Sequence, residues 1–176
     1  MVEAATRAAR KPSKGGAANA RFIVAAAEAL PPELAATADL VTVHFPWGSL
    51  LRGIVRGETA IVCPLARLLK PVAEAELRLL ISVEARDGAL GLDVLDTDGV
   101  DRIVRSFVEA GLIPIDIRLA TADDLAAARS SWAKRLAIRR GGTGHRTAWY
   151  LRFAAGQAAT MLGPDGTGMT APDDGR

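Results

Sequence analysis

The chain has 176 residues, the length of one ordinary domain, with 22 Lys plus Arg against 20 Asp plus Glu and a formal net charge of +2. Hydrophobic residues make up 49%, enough for a real core. A single cysteine, Cys63, excludes an internal disulfide and a Cys-rich zinc site, and two histidines, His44 and His145, leave little for a His-based metal site. No apolar run approaches the ~20 residues of a membrane span. The N-terminus is polar and basic, without the hydrophobic centre of a signal peptide. These properties predict a soluble, cytoplasmic protein with no membrane partner and no metal.

Arg21 to Ala25 (RFIVA) reads as a short buried strand, followed by Ala26 to Leu30 and a new segment at Pro31-Pro32. Asp39 to Phe45 is a second strand, rich in β-branched residues and ended by Pro46. Ser49 is placed to cap a helix over Leu50 to Val55, and Thr59 one from Ala60 to Lys70, with Pro64 inside it or in its first turn. Leu77 to Arg86 is a third strand. Asp98 is read as the cap of an amphipathic helix with Val100, Ile103, Val104, Phe107 and Val108 on one face and Gly111 at its end. Leu112 to Leu119 is a fourth strand, in which Pro114 signals an edge or a bulge. Thr121 opens a helix towards Ser130, and Ala148 to Ala154 is a fifth strand. Residues 1–155 read as one domain, and residues 156–176, rich in Gly, Pro and Asp, as a disordered tail. Strands alternating with helices predict an α/β fold with a largely parallel sheet, whose ligands sit beyond the carboxyl ends of the strands.

The small net charge hides an asymmetry. Residues 1–21 carry Arg7, Arg10, Lys11, Lys14 and Arg21 against Glu3 alone. Residues 129–152 carry Arg129, Lys134, Arg135, Arg139, Arg140, Arg146 and Arg152 and no acid, so the rest of the chain is acidic. Charge runs usually just solvate exposed faces. A run of this length without an acidic partner favours contact with a polyanion such as nucleic acid.

The sharpest local signal is His44-Phe45-Pro46-Trp47-Gly48-Ser49. A Pro-aromatic pair at the carboxyl end of a strand fixes the backbone and presents a ring to the cleft, where it can stack on a base. Trp47 in such a turn is less often core than a mid-strand Trp; Trp149, in an apolar strand, is read as core. Trp132 lies inside the acid-free basic segment, and composition leaves it between a base-stacking and a helix-packing role. Glu28 could accept hydrogen bonds from a ribose or an adenine amino group, or be an ordinary exposed loop carboxylate; Glu84 lies near the end of the third strand. His44 is expected to pack or cap locally, His145 lies among glycines, and neither has a triad partner. Cys63 is read as a small buried hydrophobe. Neither GxGxxG after a strand nor GxxxxGK[ST] occurs.

The run VTVHFPWGSLLRGIV, with AAAEALPPEL before it and SSWAKRL downstream, resembles the 16S rRNA (adenine(1408)-N(1))-methyltransferases that confer aminoglycoside resistance. The resemblance extends from about Arg7 to about Phe153. It implies a class I, Rossmann-like methyltransferase fold and S-adenosyl-L-methionine as cofactor. By the same resemblance Ala27 and Glu28 belong to the loop holding the cofactor's adenine, and Pro46, Trp47 and Ser49 to the motif at the methyl donor. Trp132 becomes the second wall of a Trp–Trp sandwich around a flipped base, with Ser130 orienting that site. Arg7, Arg10, Lys11, Lys14, Arg135 and Arg140 become contacts to 16S rRNA in the 30S ribosomal subunit, made by a monomer. The family opens with a strand, a glycine-rich loop and a second strand ending in an acidic ribose ligand. This sequence matches the family from the following helix onward, so the expected fold is the class I fold lacking its first two strands. Two other readings stand beside the enzyme: a catalytically inactive RNA-binding fragment, and a small-molecule methyltransferase of the same fold.

Overall fold

A computed structural model describes residues 20, 23–83, 87–88, 91–128 and 147–156. Two 3-10 turns, Ala27–Ala29 and Pro32–Leu34, lead into strand β1, Leu40–His44. Helix α1, Gly48–Arg56, and helix α2, Thr59–Arg67, come next, then strand β2, Glu76–Ile81. Helix α3, Thr97–Glu109, precedes strand β3, Leu112–Leu119. The short helix α4, Ala122–Ala127, and strand β4, Trp149–Ala155, complete the described elements.

The strands form one sheet in the order β1-β2-β4-β3. β1 is parallel to β2, whereas β4 is antiparallel to both of its neighbours. The largely parallel sheet expected from the sequence is therefore mixed among the described strands. Leu119, the last residue of β3, sits opposite Trp149, the first of β4. The chain re-enters the sheet at the end it left, and such a return must run antiparallel. β3 is an edge strand, and its register shifts between Pro114 and Asp116 as the proline foretold.

The pleat sends Leu77, Leu79 and Ile81 of β2 and Leu151, Phe153 and Ala155 of β4 to one face. Leu51 and Ile54 of α1, Ile61 and Val62 of α2, and Val100, Ile103 and Phe107 of α3 pack against them in one core. Phe107 and Phe153 meet with ring centroids 5.1 Å apart and planes tilted by 37°. Fully burying such a side chain contributes about 1.5–3 kcal/mol. Val108, expected on the buried face of α3, is exposed. α1 and α2 approach so closely that a Cβ on Gly53 would collide with Ile61. The opposite face of the sheet is charged: Glu76 pairs with Arg78 at 2.6 Å and with Arg152 at 3.2 Å.

Several local expectations change. Residues 23–26 form no strand; Ile23 and Val24 are 56% and 78% exposed, while Arg21 and Phe22 lie outside the described residues. A strand needs a neighbour to take its backbone hydrogen bonds, and no described strand pairs with this segment. β2 ends at Ile81 rather than running to residue 86, and Glu84 lies outside the described residues. α1 begins at Gly48 with Trp47 in the N-cap position, so Ser49 is not the cap. Glu58, not Thr59, precedes α2, which accommodates Pro64 inside it. Asp96 caps α3 through its carboxylate and the Gly99 N–H, 2.8 Å, and Asp98 falls in the first turn. Gly156, at the head of the expected tail, is buried, and its N–H donates to the Gly111 carbonyl at 3.1 Å.

Candidate active site

The carboxyl ends of β1, β2 and β3 and the start of β4 lie at the same end of the sheet. The Phe45 N–H still donates to the Leu80 carbonyl, 2.8 Å, continuing the β1–β2 ladder one residue past the strand. The chain then swings away, because Phe45 adopts φ +51, a left-handed conformation that costs a bulky residue of order 1–3 kcal/mol. Such a conformation persists only where its surroundings hold it. Here Phe45 packs on the buried Leu125 of α4 in a small cluster with Ala120, Ala128 and Ala148. The following Pro46 is buried, and Trp47 is 83% exposed in an extended conformation. Gly48 has φ +63, which favours glycine and lets α1 start at once. Buried Pro46 and fully presented Trp47 make an aromatic ring on a rigid mount.

α4 is anchored at both ends. At its start, Thr121 and Asp124 form a reciprocal capping box. The Arg118 guanidinium donates to both Asp124 oxygens, at 2.5 and 3.0 Å, and to Asp116 at 3.0 Å. Its carbon stands 4.6 Å from the centre of the Tyr150 ring. The bond from Arg118 holds the Asp124 carboxyl well below the usual carboxylate range, and the same bond raises Arg118. At the far end of α4 the Ala128 carbonyl accepts a hydrogen bond from the His44 imidazole. Partial burial holds the His44 pKa below its ordinary value, and the Ala128 carbonyl offsets part of that shift. His44, expected to bond locally, thus reaches across the fold: the carboxyl end of β1 lies beside the end of α4.

Two further groups sit at this end. Ser82, one residue past β2, is buried, and its hydroxyl has no hydrogen-bond partner among the described residues. Trp149 is half-buried against the core and donates from Nε1 to the Leu95 carbonyl, 3.2 Å, in keeping with a packing role. Cys63 is half-buried.

Of the sequence-predicted site residues, Pro46, Trp47 and Ser49 share one turn, Ser49 exposed. Ala27 and Glu28 lie on the first 3-10 turn, which packs against α2; Ala27 contacts the main core and Glu28 is exposed. Ser130, Trp132, Arg135, Arg140, His145, Arg7, Arg10, Lys11 and Lys14 lie outside the described residues. Sequence reading missed the His44–Ala128 bond and the Phe45–Leu125 packing, which join distant segments with no local signature. The Arg118–Asp124 pair left one trace, the Thr-x-x-Asp spacing of a capping box.

No helix among the described residues is long and apolar enough to cross a membrane. A family model described as NpmA, 16S rRNA (adenine(1408)-N(1))-methyltransferase, matches residues 1–149. An Escherichia coli 16S rRNA (adenine(1408)-N(1))-methyltransferase is 34% identical over 136 residues, 74% of this chain and 62% of that protein. The chain thus spans less than two thirds of that relative's length. An rRNA methyltransferase of Saccharopolyspora hirsuta is 33% identical over 80% of this chain and 91% of its own. Among solved structures, a 16S rRNA (adenine(1408)-N(1))-methyltransferase mutant with cosubstrate SAM from Catenulisporales acidiphilia superposes with a TM-score of 0.68. Its sequence is 36% identical, and the match covers 89% of this chain and 70% of that one. The mixed sheet with its helices is thus part of a Rossmann-like methyltransferase fold, and the chain belongs to the 16S rRNA (adenine(1408)-N(1))-methyltransferase family.

Proposed function

We propose that this protein methylates N1 of adenine 1408 of 16S rRNA in the 30S subunit, using S-adenosyl-L-methionine, and so confers aminoglycoside resistance. The observation that carries the reading is Trp47: an 83% exposed indole on a buried proline, at the carboxyl end of a strand, in a chain of this family. A large exposed ring on a stiff turn has little use in packing and suits stacking on an extruded base, worth about 1–3 kcal/mol.

The residues present suit the cofactor's chemistry. Exposed Glu28 is a carboxylate able to accept from ribose hydroxyls or the adenine amino group. Phe45 and Pro46 offer an apolar wall, Ser49 an exposed hydroxyl, and buried Ser82 one without a partner among the described residues. When bound, the cofactor supplies an electrophilic methyl on a sulfonium. The protein's own part is positioning. Adenine N1 carries an in-plane lone pair and no proton, so no general base is needed. The residue before Pro46 is accordingly the apolar Phe45 rather than an amine-binding Asp or Asn. Trp132 and Ser130 are assigned to the opposite wall of the base site. Two rings would stabilise the cationic product base by about 0.5–2 kcal/mol of cation–π attraction. Arg7, Arg10, Lys11, Lys14, Arg135 and Arg140 are assigned to rRNA phosphates, and the protein acts as a monomer in the cytoplasm.

The test is to incubate purified 30S subunits with the protein and S-adenosylmethionine and to map the rRNA by primer extension. A stop at the target adenine is expected. An unmodified adenine, with RNA binding retained, favours the RNA-binding reading instead.

A further inference from the structure

The Trp47 turn owes its direction to one residue. The Phe45 N–H is held by the Leu80 carbonyl at 2.8 Å, and the ring of Pro46 fixes that residue's own φ. The conformation of Phe45, with φ +51, therefore decides where Pro46 and Trp47 go. Nothing in the local sequence favours it. A bulky residue avoids the left-handed region, and a residue before proline prefers extended backbone. Glycine or asparagine would make the same turn at little cost. A phenylalanine there needs support from elsewhere in the fold.

That support comes from α4. Phe45 packs on buried Leu125 in a cluster apart from the main core, and the other members of the cluster are Ala120, Ala128 and Ala148. Leu125 directly follows Asp124, and its N–H donates to the Thr121 carbonyl at 3.2 Å. Asp124 is in turn gripped by Arg118 at the end of β3 and by the Thr121 capping box. So β3 holds the first turn of α4, that turn carries Leu125, and Leu125 backs the Phe45 ring.

We propose that Leu125 is a positioning residue for methyl transfer: its side chain keeps Phe45 in the left-handed conformation and so sets the Trp47 ring for the target base. The inference rests on the methyl-transfer reading above. Leu125 itself touches neither base nor cofactor; it acts through Phe45 and Trp47. Bulk is all the role requires, and methionine, of similar volume, keeps it. Because the cluster is separate from the main core, shortening Leu125 leaves the packing between the sheet and α1, α2 and α3 intact.

The experiment compares the wild-type protein with Leu125→Ala and Leu125→Met, each with Trp47 present and in a Trp47→Ala background, below the melting temperature of every variant. Methylation of 30S subunits gives the rate, and 15N relaxation of the backbone amides of Phe45, Trp47 and Gly48 gives the mobility of the turn without any substrate. For Leu125→Ala we expect kcat to fall about 10- to 100-fold, the cost of a small misplacement. KM for 30S subunits and for S-adenosylmethionine should stay within about twofold. Order parameters at the three amides should drop from about 0.85 to below about 0.6, while those in β2 and α3 stay unchanged. Leu125→Met should recover most of both effects. In the Trp47→Ala background, Leu125→Ala should cost less than about twofold more, because the ring it positions is already gone. Should Leu125→Ala not fold, Leu125→Val is read in the same way. Unchanged mobility of the turn overturns the support of Phe45 by Leu125, whatever the methylation assay shows. A mobile turn with an unchanged kcat overturns the positioning role. So does a fall in kcat that is as large without Trp47 as with it, that spreads mobility through the sheet, or that Leu125→Met does not rescue. A wild-type protein that leaves the adenine unmethylated overturns the methyl-transfer reading and the positioning role with it; the relaxation data still decide separately whether Leu125 holds Phe45.

Discussion

The guanidinium of Arg118 grips both carboxylate oxygens of Asp124, at 2.5 and 3.0 Å, and ties the end of β3 to the first turn of α4. Bidentate geometry of this kind is the strong form of the Arg–carboxylate pair. It lies beside the candidate site, so its titration bears on how α4 is held.

Asp124 ionises in the folded protein well below its ordinary value of 3.8. The unfolded chain therefore takes up this proton first as pH falls. The stabilisation from Asp124 is complete above about pH 4 and is lost as pH drops through the lowered folded value. Wild-type Tm should fall below about pH 4, partly from this group. Asp124→Asn should lower Tm at pH 7, and its deficit should shrink as the pH is taken towards 2. Thermal melts of both proteins across that range check the prediction, and a deficit that does not change with pH counts against it.

Gly156 closes the described fold. A Cβ built there would run into the backbone carbonyl of Gly111, which also accepts the Gly156 N–H. Backbone cannot turn aside as a side-chain tip can. Gly156→Ala should therefore destabilise by about 1–3 kcal/mol, the usual cost of overpacking. Denaturant unfolding measures it. A chain truncated after Gly156 should keep the wild-type midpoint, whereas one truncated before Gly156 should lose stability.

The sequence was most readable where the signal was local. Asp39 to Phe45, the amphipathic pattern around Ile103 and Phe107, and Thr121 as a cap each depend on residues within a few positions of one another. Pro114 announced an edge because a missing N–H has only edge or bulge solutions. RFIVA misled because apolar β-branched composition states only a preference, and pairing needs a neighbour that composition cannot supply. Sheet direction was misread because β4's place between β2 and β3 depends on contacts far apart in sequence. At the site, the FPWGS turn stood out as a motif. His44 did not, because its partner is a backbone carbonyl on another element, and every residue has one.

Charge reversal tests the electrostatic assignment. Arg7→Glu, Lys11→Glu and Arg135→Glu should each weaken 30S binding, most at low salt. Each should also reduce the slope of log affinity against log salt, by about 0.7–0.9 for each phosphate that is no longer neutralised. Filter binding over a salt series reads this directly. Equal affinity across the series would return these residues to solvation alone.

Trp47 offers the cleanest separation of function from folding. With 83% of it exposed, the indole contributes little to the core. Trp47→Ala should therefore leave stability within about 0.5 kcal/mol of wild type, as substitutions away from packed sites do. If the ring clamps the flipped adenine, the same change removes stacking worth about 1–3 kcal/mol. It also loosens the alignment of N1 with the methyl, where a small misplacement can cost ~100-fold in rate. Methylation should thus fall by about two orders of magnitude at unchanged Tm, with binding of S-adenosylmethionine much less affected. Trp132→Ala should show the same pattern if it forms the opposite wall. A Trp packed in the core behaves otherwise: its truncation costs about 3–5 kcal/mol, and Tm and activity fall together. Melting and primer extension on the same preparations distinguish the two for each tryptophan. Full activity in Trp47→Ala would remove the observation on which the proposed function chiefly stands.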